Sequence, residues 1–140
     1  MTISTLIDSN VLIDVLGPAN LPHRVWSLAA LRRVSDEGQV VVSAIVWAEI
    51  AEPQRSEDFL AGIFARFRPL REAFPFEAAY AAGLAHRAYV GRGGKRERTL
   101  PDFLIGAHAD ARGHRLLTRD PARYRTYFPS LDIIAPDTHP

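Results

Sequence analysis

The sequence predicts an α/β fold, a parallel sheet with helices on both faces. Three observations predict it. Short apolar runs of strand length alternate with longer segments of helical period along the 140 residues. The first apolar run ends in an acid, Asp8, that leads straight into a helix. Turn-forming or capping residues punctuate the junctions.

The elements follow in order. Residues 3–7 read as a buried strand, with Ile3, Leu6 and Ile7 apolar. Asp8, Ser9 and Asn10 are turn and N-cap types. Val11, Leu12, Ile13, Val15 and Leu16 then make a short helix stopped by Gly17 and Pro18. Residues 22–37 are helical on a stripe of Val25, Trp26, Leu28, Ala29, Leu31 and Val34, closed by Gly38. Residues 39–42 form a second buried strand. Ser43 caps a helix over about 44–52, ended by Pro53, and another helix covers about 57–67. Phe59, Phe64 and Phe67 are expected in core or interface. Phe74, Pro75 and Phe76 read as an irregular or strand-like bridge. An alanine-rich helix over about 77–89 breaks at Gly91, Gly93 and Gly94. Thr99 starts a helix to about 112, with Pro101 tolerated in its first turn and Gly113 ending it. Residues 115–118 form a short strand, Asp120 and Pro121 open a helical turn, and 131–134 form the last strand. Crossovers should be right-handed.

Composition narrows the class. The apolar fraction is 47% and the charged fraction 24%, near globular averages, and the length fits one domain over 1–140. The chain has no cysteine. That excludes disulfides, thiolate nucleophiles and zinc ribbons, and fits a reducing cytosol. Asp8 and Asp14 interrupt the first apolar stretch, so no signal peptide is expected. No run of roughly 18 apolar residues offers a membrane span. The net charge is +1, which does not argue for nucleic acid, though local basic clusters are compatible with it. Lys95, Arg96 and Arg98 share one glycine-flanked loop, where the ordinary alternative is a solvated, mobile segment.

Open parallel sheets place their sites at the C-terminal ends of strands. Asp8 follows the first strand and Asp120 lies two residues beyond the strand ending near Thr118. Glu49 is on the helix fed by the second strand, and Asp102 is in the first turn after the basic loop. Gathered in one pocket, these carboxylates would repel by about 4 kcal/mol per pair at about 4 Å and an effective dielectric near 20. A cation relieves that, and oxygen-only ligands suit Mg²⁺ or Mn²⁺. Such ions activate water and stabilise a leaving oxygen in phosphodiester hydrolysis. Each acid also has a plain alternative. Asp8 could cap its helix, Thr99 and Asp102 could form a capping box, Glu49 could be a solvated helix residue and Asp120 a turn residue.

Other classes fit poorly. The five histidines show no metal spacing, and His86 and His108 fall on helices where a surface place is expected. No serine, histidine and acid pattern gives a triad. Asn10 stands where a haloacid-type phosphatase needs its second Asp. Lys95 is the only lysine, which weakens a receiver-domain reading. Asp14 reads as a surface acid, and Arg119 as either a phosphate contact or a partner for an acid.

The stretch from Leu6 to Asp14 resembles the opening motif of PIN-domain ribonucleases, especially the VapC-type toxins of toxin–antitoxin pairs. Val42-Ser43 through Glu49 looks like the family's Ser-then-Glu helix. Leu100-Pro101-Asp102 through Ala109 looks like its third motif, and Leu116 to Asp120 with Tyr124 and Phe128 like its fourth. The likeness covers nearly the whole chain. It implies three α/β/α layers around a parallel sheet of four to five strands, and Mg²⁺- or Mn²⁺-dependent endoribonuclease activity. It implies Asp8, Glu49, Asp102 and Asp120 as catalytic, metal-site acids. Asp8 and Asp102 would hold the main ion, Asp120 would bind directly or through water, and Glu49 would orient water or a second ion. Ser9, Asn10 and Thr118 would support them. Where the fourth motif often has Asn, this chain has Asp120, which adds charge. The resemblance also implies an RNA substrate, a small antitoxin partner and a homodimer. Lys95, Arg96, Arg98 and Arg119 are the candidate RNA contacts. A non-catalytic RNA-binding module or a housekeeping RNA-processing nuclease are the competing functions.

Overall fold

The computed structural model describes residues 2–95 and 99–140. Five parallel strands form one sheet in the order β3-β2-β1-β4-β5. They are β1 (Ser4–Ile7), β2 (Gln39–Ser43), β3 (Leu70–Glu72), β4 (Arg115–Leu117) and β5 (Ile133–Ile134). Seven α-helices flank them among the described residues: α1 (Ser9–Leu16), α2 (Pro22–Glu37), α3 (Ala44–Glu49), α4 (Glu57–Phe64), α5 (Ala79–Gly91), α6 (Leu100–Arg112) and α7 (Ala122–Tyr127). This is the three-layer α/β architecture expected from the sequence.

The central strands are buried on both faces, as parallel strands covered by helices must be. Leu6, Ile7, Val40, Val41, Val42, Leu116 and Leu117 are all buried, and α2, α3 and α6 bring Leu31, Val34, Val46, Phe103 and Ile105 against them. Register sets β1 between its neighbours, with Leu6 opposite Val41 on one side and Leu116 on the other. Local signals hold the joints. Ser43 accepts from the Ile45 amide at 3.1 Å to cap α3, and Ser56 does the same for Phe59 at 3.1 Å to cap α4. Gly38 links α2 to β2 where a Cβ would stand 2.1 Å from the Ile3 carbonyl oxygen, so only glycine fits the approach. Gly113 ends α6 at φ 68°.

Several expectations need correction. The third strand is Leu70–Glu72, not the Phe74 to Phe76 segment. Its edge position leaves it largely exposed, so it carries no apolar run to announce it. Phe76–Ala78 is a 3-10 turn, and α5 starts only at Ala79. Helix α3 stops at Glu49, before Pro53 is reached, and α4 tightens into a 3-10 turn at Ala65–Phe67. Phe64 and Phe67 are buried as expected, whereas Phe59 is 55% exposed. His108 is not on the surface: it is fully buried in α6. Asp14 is not a free surface acid either, since it pairs with Arg119. No helix among the described residues is long and apolar enough to cross a membrane.

Candidate metal centre

Strand order reverses at β1. From there the chain builds outward through β2 and β3, then resumes on the other side with β4 and β5. Loops leaving adjacent strands at such a point diverge and open a crevice at the strands' C-terminal ends. Asp8 follows β1 and Thr118 follows β4, and the Asp8 amide donates to the Leu117 carbonyl at 2.9 Å. Both residues are therefore fixed by the sheet itself at the mouth of the crevice. The cavity there has a volume of about 840 Å³, with Asp8, Asn10, Asp102, Asp120, Arg123 and Tyr124 in its wall.

Asp8 has the backbone of an N-cap, but its side chain makes no capping hydrogen bond. Its Oδ2 instead accepts from Thr118 Oγ1 at 2.8 Å, the Tyr124 hydroxyl at 2.9 Å and Asn10 Nδ2 at 3.3 Å. Oδ1 accepts from Ser9 Oγ at 3.4 Å. Asp8 is 3% exposed. Burial raises its pKa, and the Thr118 and Tyr124 hydroxyls pull against that rise.

Asp102 sits in the first turn of α6, where Thr99 holds the N-cap position without a capping side-chain bond. The Thr99 hydroxyl donates instead to the Lys95 carbonyl at 2.9 Å. The capping-box alternative is therefore not what this pair does. Burial, with the Asp8 charge next, pushes the Asp102 pKa up to about 6, against the pull of Arg123. Glu49 ends α3 on an exposed stretch. Partial burial of its carboxyl raises its pKa; the Ser9 hydroxyl opposes this, and the Asp8 and Asp102 charges add to it. Asp120 is open to solvent, with 74% of its side chain exposed. Its amide donates to Thr118 Oγ1 at 3.1 Å, and Asn10 Nδ2 reaches its Oδ2 at 3.5 Å.

The structure thus brings the four sequence-derived acids into one electrostatic neighbourhood, with Glu49 acting from beside the cavity wall. Ser9, Asn10 and Thr118 stand where supporting groups were expected. Asn10 also accepts from the Arg119 amide at 3.2 Å, so one side chain ties α1 to Thr118, Arg119 and Asp120 after β4. The Arg119 guanidinium grips Asp14 at 2.7 and 3.2 Å, and Ser27 Oγ donates to the same carboxylate at 2.7 Å. Lys95 is exposed. Arg96 and Arg98 lie outside the described residues.

Two site residues were given no role from the sequence: Arg123, and Tyr124, which entered only as part of the fourth-motif likeness. Arg123 pairs with Asp102 and lies 4.9 Å from the centre of the Tyr89 ring. It places a cation among the acids. Tyr124 holds Asp8 from α7. Burial first, then the Asp8 charge, raises its pKa well above the ordinary value, so the phenol keeps its proton and serves as a donor. Both follow Asp120 by about one helical turn, and that spacing is the signal that could have found them.

The PIN-domain family model matches residues 5–129. No curated protein sequence matches the chain. Among solved structures, VapBC2 from Rickettsia felis, bound to a DNA fragment from its promoter, superposes with a TM-score of 0.71 at 17% identity, over 95% of this chain and 98% of that one. DNA-bound VapBC from Salmonella typhimurium gives 0.65 at 19% identity, over 95% and 98%. FitAcB from Neisseria gonorrhoeae gives 0.63 at 22% identity, over 93% and 96%. Those identities speak for the fold, which all three share. The family model spans nearly all of the chain, a range that includes the Asp8 and Asp120 of the crevice. On that match, the chain belongs to the PIN-domain family.

Proposed function

We propose that this protein is a Mg²⁺- or Mn²⁺-dependent endoribonuclease, the toxin of a toxin–antitoxin pair. One observation carries the reading. Asp8, Asp102 and Glu49 each have a raised pKa in one neighbourhood, and the Asp8 and Asp102 charges add to the rise at Glu49. Burial is the first cause at all three, and the neighbouring acids add repulsion at Asp102 and Glu49; a divalent cation would offset both. The donors are all oxygens, which fits a hard ion. When bound, that ion supplies charge for a phosphate oxygen and lowers the pKa of a coordinated water.

The chain's own residues provide the rest. Asp8 and Asp102 would hold the ion, Asp120 would bind it directly or through water, and Glu49 would orient a water or help hold a second ion. Thr118, Tyr124, Asn10 and Ser9 fix the Asp8 carboxylate in one rotamer, so no reorganisation is needed when the ion arrives. Lys95, with Arg96 and Arg98, is placed by the sequence just ahead of Asp102 and would contact the RNA phosphates. Arg119 is a weaker candidate, because Asp14 already occupies its guanidinium fork. Two of the named neighbours are VapBC assemblies on DNA, which supports an antitoxin partner for this chain. Phe76, Tyr80 and Leu84 are 90%, 78% and 53% exposed around the start of α5, and such a patch supports a homodimer.

The test is cleavage of a purified total-RNA pool in Mg²⁺ or Mn²⁺ against EDTA, beside Asp102→Asn. Discrete fragments that require both metal and Asp102 support the reading. Retained RNA binding without cleavage would make the chain a binding module instead.

A further inference from the structure

Away from the acid crevice, three side chains from three elements converge on one point. Glu72 ends β3, His108 lies in α6 and His114 immediately precedes β4. Glu72 Oε1 is 2.7 Å from His108 Nε2 and 2.8 Å from His114 Nε2. All three ligand atoms lie within 4.8 Å of one another. We propose that Glu72, His108 and His114 form a second metal site, selective for a zinc-type ion and separate from the carboxylate centre.

The donor set separates the two sites chemically. Two imidazoles and one carboxylate suit Zn²⁺ and its neighbours, whereas the crevice acids offer only the oxygens that Mg²⁺ and Mn²⁺ prefer. Three protein ligands leave a fourth tetrahedral position for water. Glu72, with 24% of its side chain exposed, is the solvent-facing ligand; His108 and His114 show 0% and 8%. Tetrahedral bonds of about 2.0–2.1 Å put ligand atoms roughly 3.3 Å apart, so the two nitrogens need recede from Oε1 by only about half an ångström.

The surrounding bonds aim the rings. Ser4 Oγ lies 2.6 Å from His114 Nδ1, the outer contact that commonly fixes a metal-binding imidazole. His108 Nδ1 is the one buried side-chain nitrogen or oxygen without a partner among the described residues. The polar contact orienting that ring is therefore on Nε2, toward Glu72, while the Phe74 ring packs edge-on at 5.8 Å. Without an ion, both Nε2–H groups donate to the Glu72 carboxylate. With one, the Nε2 lone pairs would face the metal and the ring protons would sit on Nδ1, where Ser4 Oγ would accept the one on His114 and the one on His108 would have no acceptor among the described residues. Asp102 and His108 share α6 but stand six residues apart, about 9 Å along the axis and about 240° around it. One helix can thus serve two sites on different sides.

Zn²⁺ binding by calorimetry and Co²⁺ absorption, on the full chain carrying Asp102→Asn, test the proposal without reference to nuclease activity. One equivalent of Zn²⁺ should bind, and Co²⁺ should give visible d–d bands. Glu72→Gln keeps an oxygen acceptor for both imidazoles, so the fold should survive, yet Zn²⁺ affinity should fall at least about tenfold and the Co²⁺ bands should fade. His114→Gln should do the same; if it unfolds, Glu72→Gln carries the decision. Absence of Zn²⁺ binding would overturn the proposal, and so would binding that Glu72→Gln leaves unchanged.

Discussion

The Tyr124 hydroxyl donates to Asp8 Oδ2 at 2.9 Å, joining α7 to the residue that follows β1, with both partners at 3% exposure. A buried carboxylate needs such donors, so the position of α7 and the readiness of the metal centre are one structural problem.

Gly106 lies beneath that contact. A Cβ there would stand 2.5 Å from Phe128 Cε2 and 3.1 Å from Tyr124 Cδ1. Gly106→Ala should therefore displace α7 and destabilise the chain by about 1–3 kcal/mol. Gly83, in α5, has nothing within 4 Å of its would-be Cβ. Gly83→Ala should gain up to about 1 kcal/mol from helix propensity. Urea unfolding of the two variants checks the contrast; equal stabilities would refute the packing described.

Asp8→Asn separates function from folding. The amide oxygen can take the Oδ2 place facing Thr118, Tyr124 and Asn10, and the NH₂ can face Ser9 Oγ. Metal-free stability should hold or rise as repulsion is relieved. Stabilisation by Mg²⁺ should disappear, and cleavage should fall by more than roughly 100-fold. Thermal melts with and without millimolar Mg²⁺ measure this. Marked unfolding of the variant would mean that the charge of Asp8 holds the fold.

Stability should fall with pH in a defined window. Asp102 keeps its proton to about 6 in the folded chain, against an ordinary 3.8. Between those values the folded state binds more protons, so ionisation opposes folding as pH rises from about 4 to about 6. Asp8 and Glu49 shift in the same direction. Glu72 is lowered, with its His114 and His108 bonds outweighing partial burial, and its share is lost as pH falls below its ordinary range. The difference between wild type and Asp102→Asn isolates the first effect. It should decline across the window without metal, and Mg²⁺ should flatten or reverse that decline; a rising difference in the metal-free protein would contradict the assignment.

Arg123 competes with metal for Asp102. The pair is about one-third exposed on each side, so its net worth is about 0.2–1 kcal/mol. Arg123→Gln should tighten Mg²⁺ binding up to roughly fivefold, read by calorimetry. Weaker Mg²⁺ binding in that variant would show that Arg123 helps build the site.

Strong local signals made much of this legible in the sequence. Helix α2 shows its Pro22 start and Gly38 stop, and the central strands show their unbroken valine and leucine runs. The four acids could be listed because three of them follow strand ends or open a helix. What stayed hidden depends on tertiary placement. Strand β3 has three residues at an exposed edge. Arg123 and Tyr124 become site residues only once α7 folds back over Asp8 and Asp102. Glu72, 36 residues from His108, joins the two histidines only because β3 and α6 are brought together.

The most direct measurement is the chemistry of the cut ends. An RNA cut in Mn²⁺ should be mapped, then resynthesised with 2′-deoxyribose on the 5′ side of the scissile phosphate. Attack by a metal-activated water predicts EDTA-sensitive cleavage that survives this replacement and leaves no 2′,3′-cyclic phosphate. A cyclic phosphate product, or cleavage that needs the 2′-hydroxyl and persists in EDTA, would contradict a carboxylate-held metal as the centre of this protein's activity.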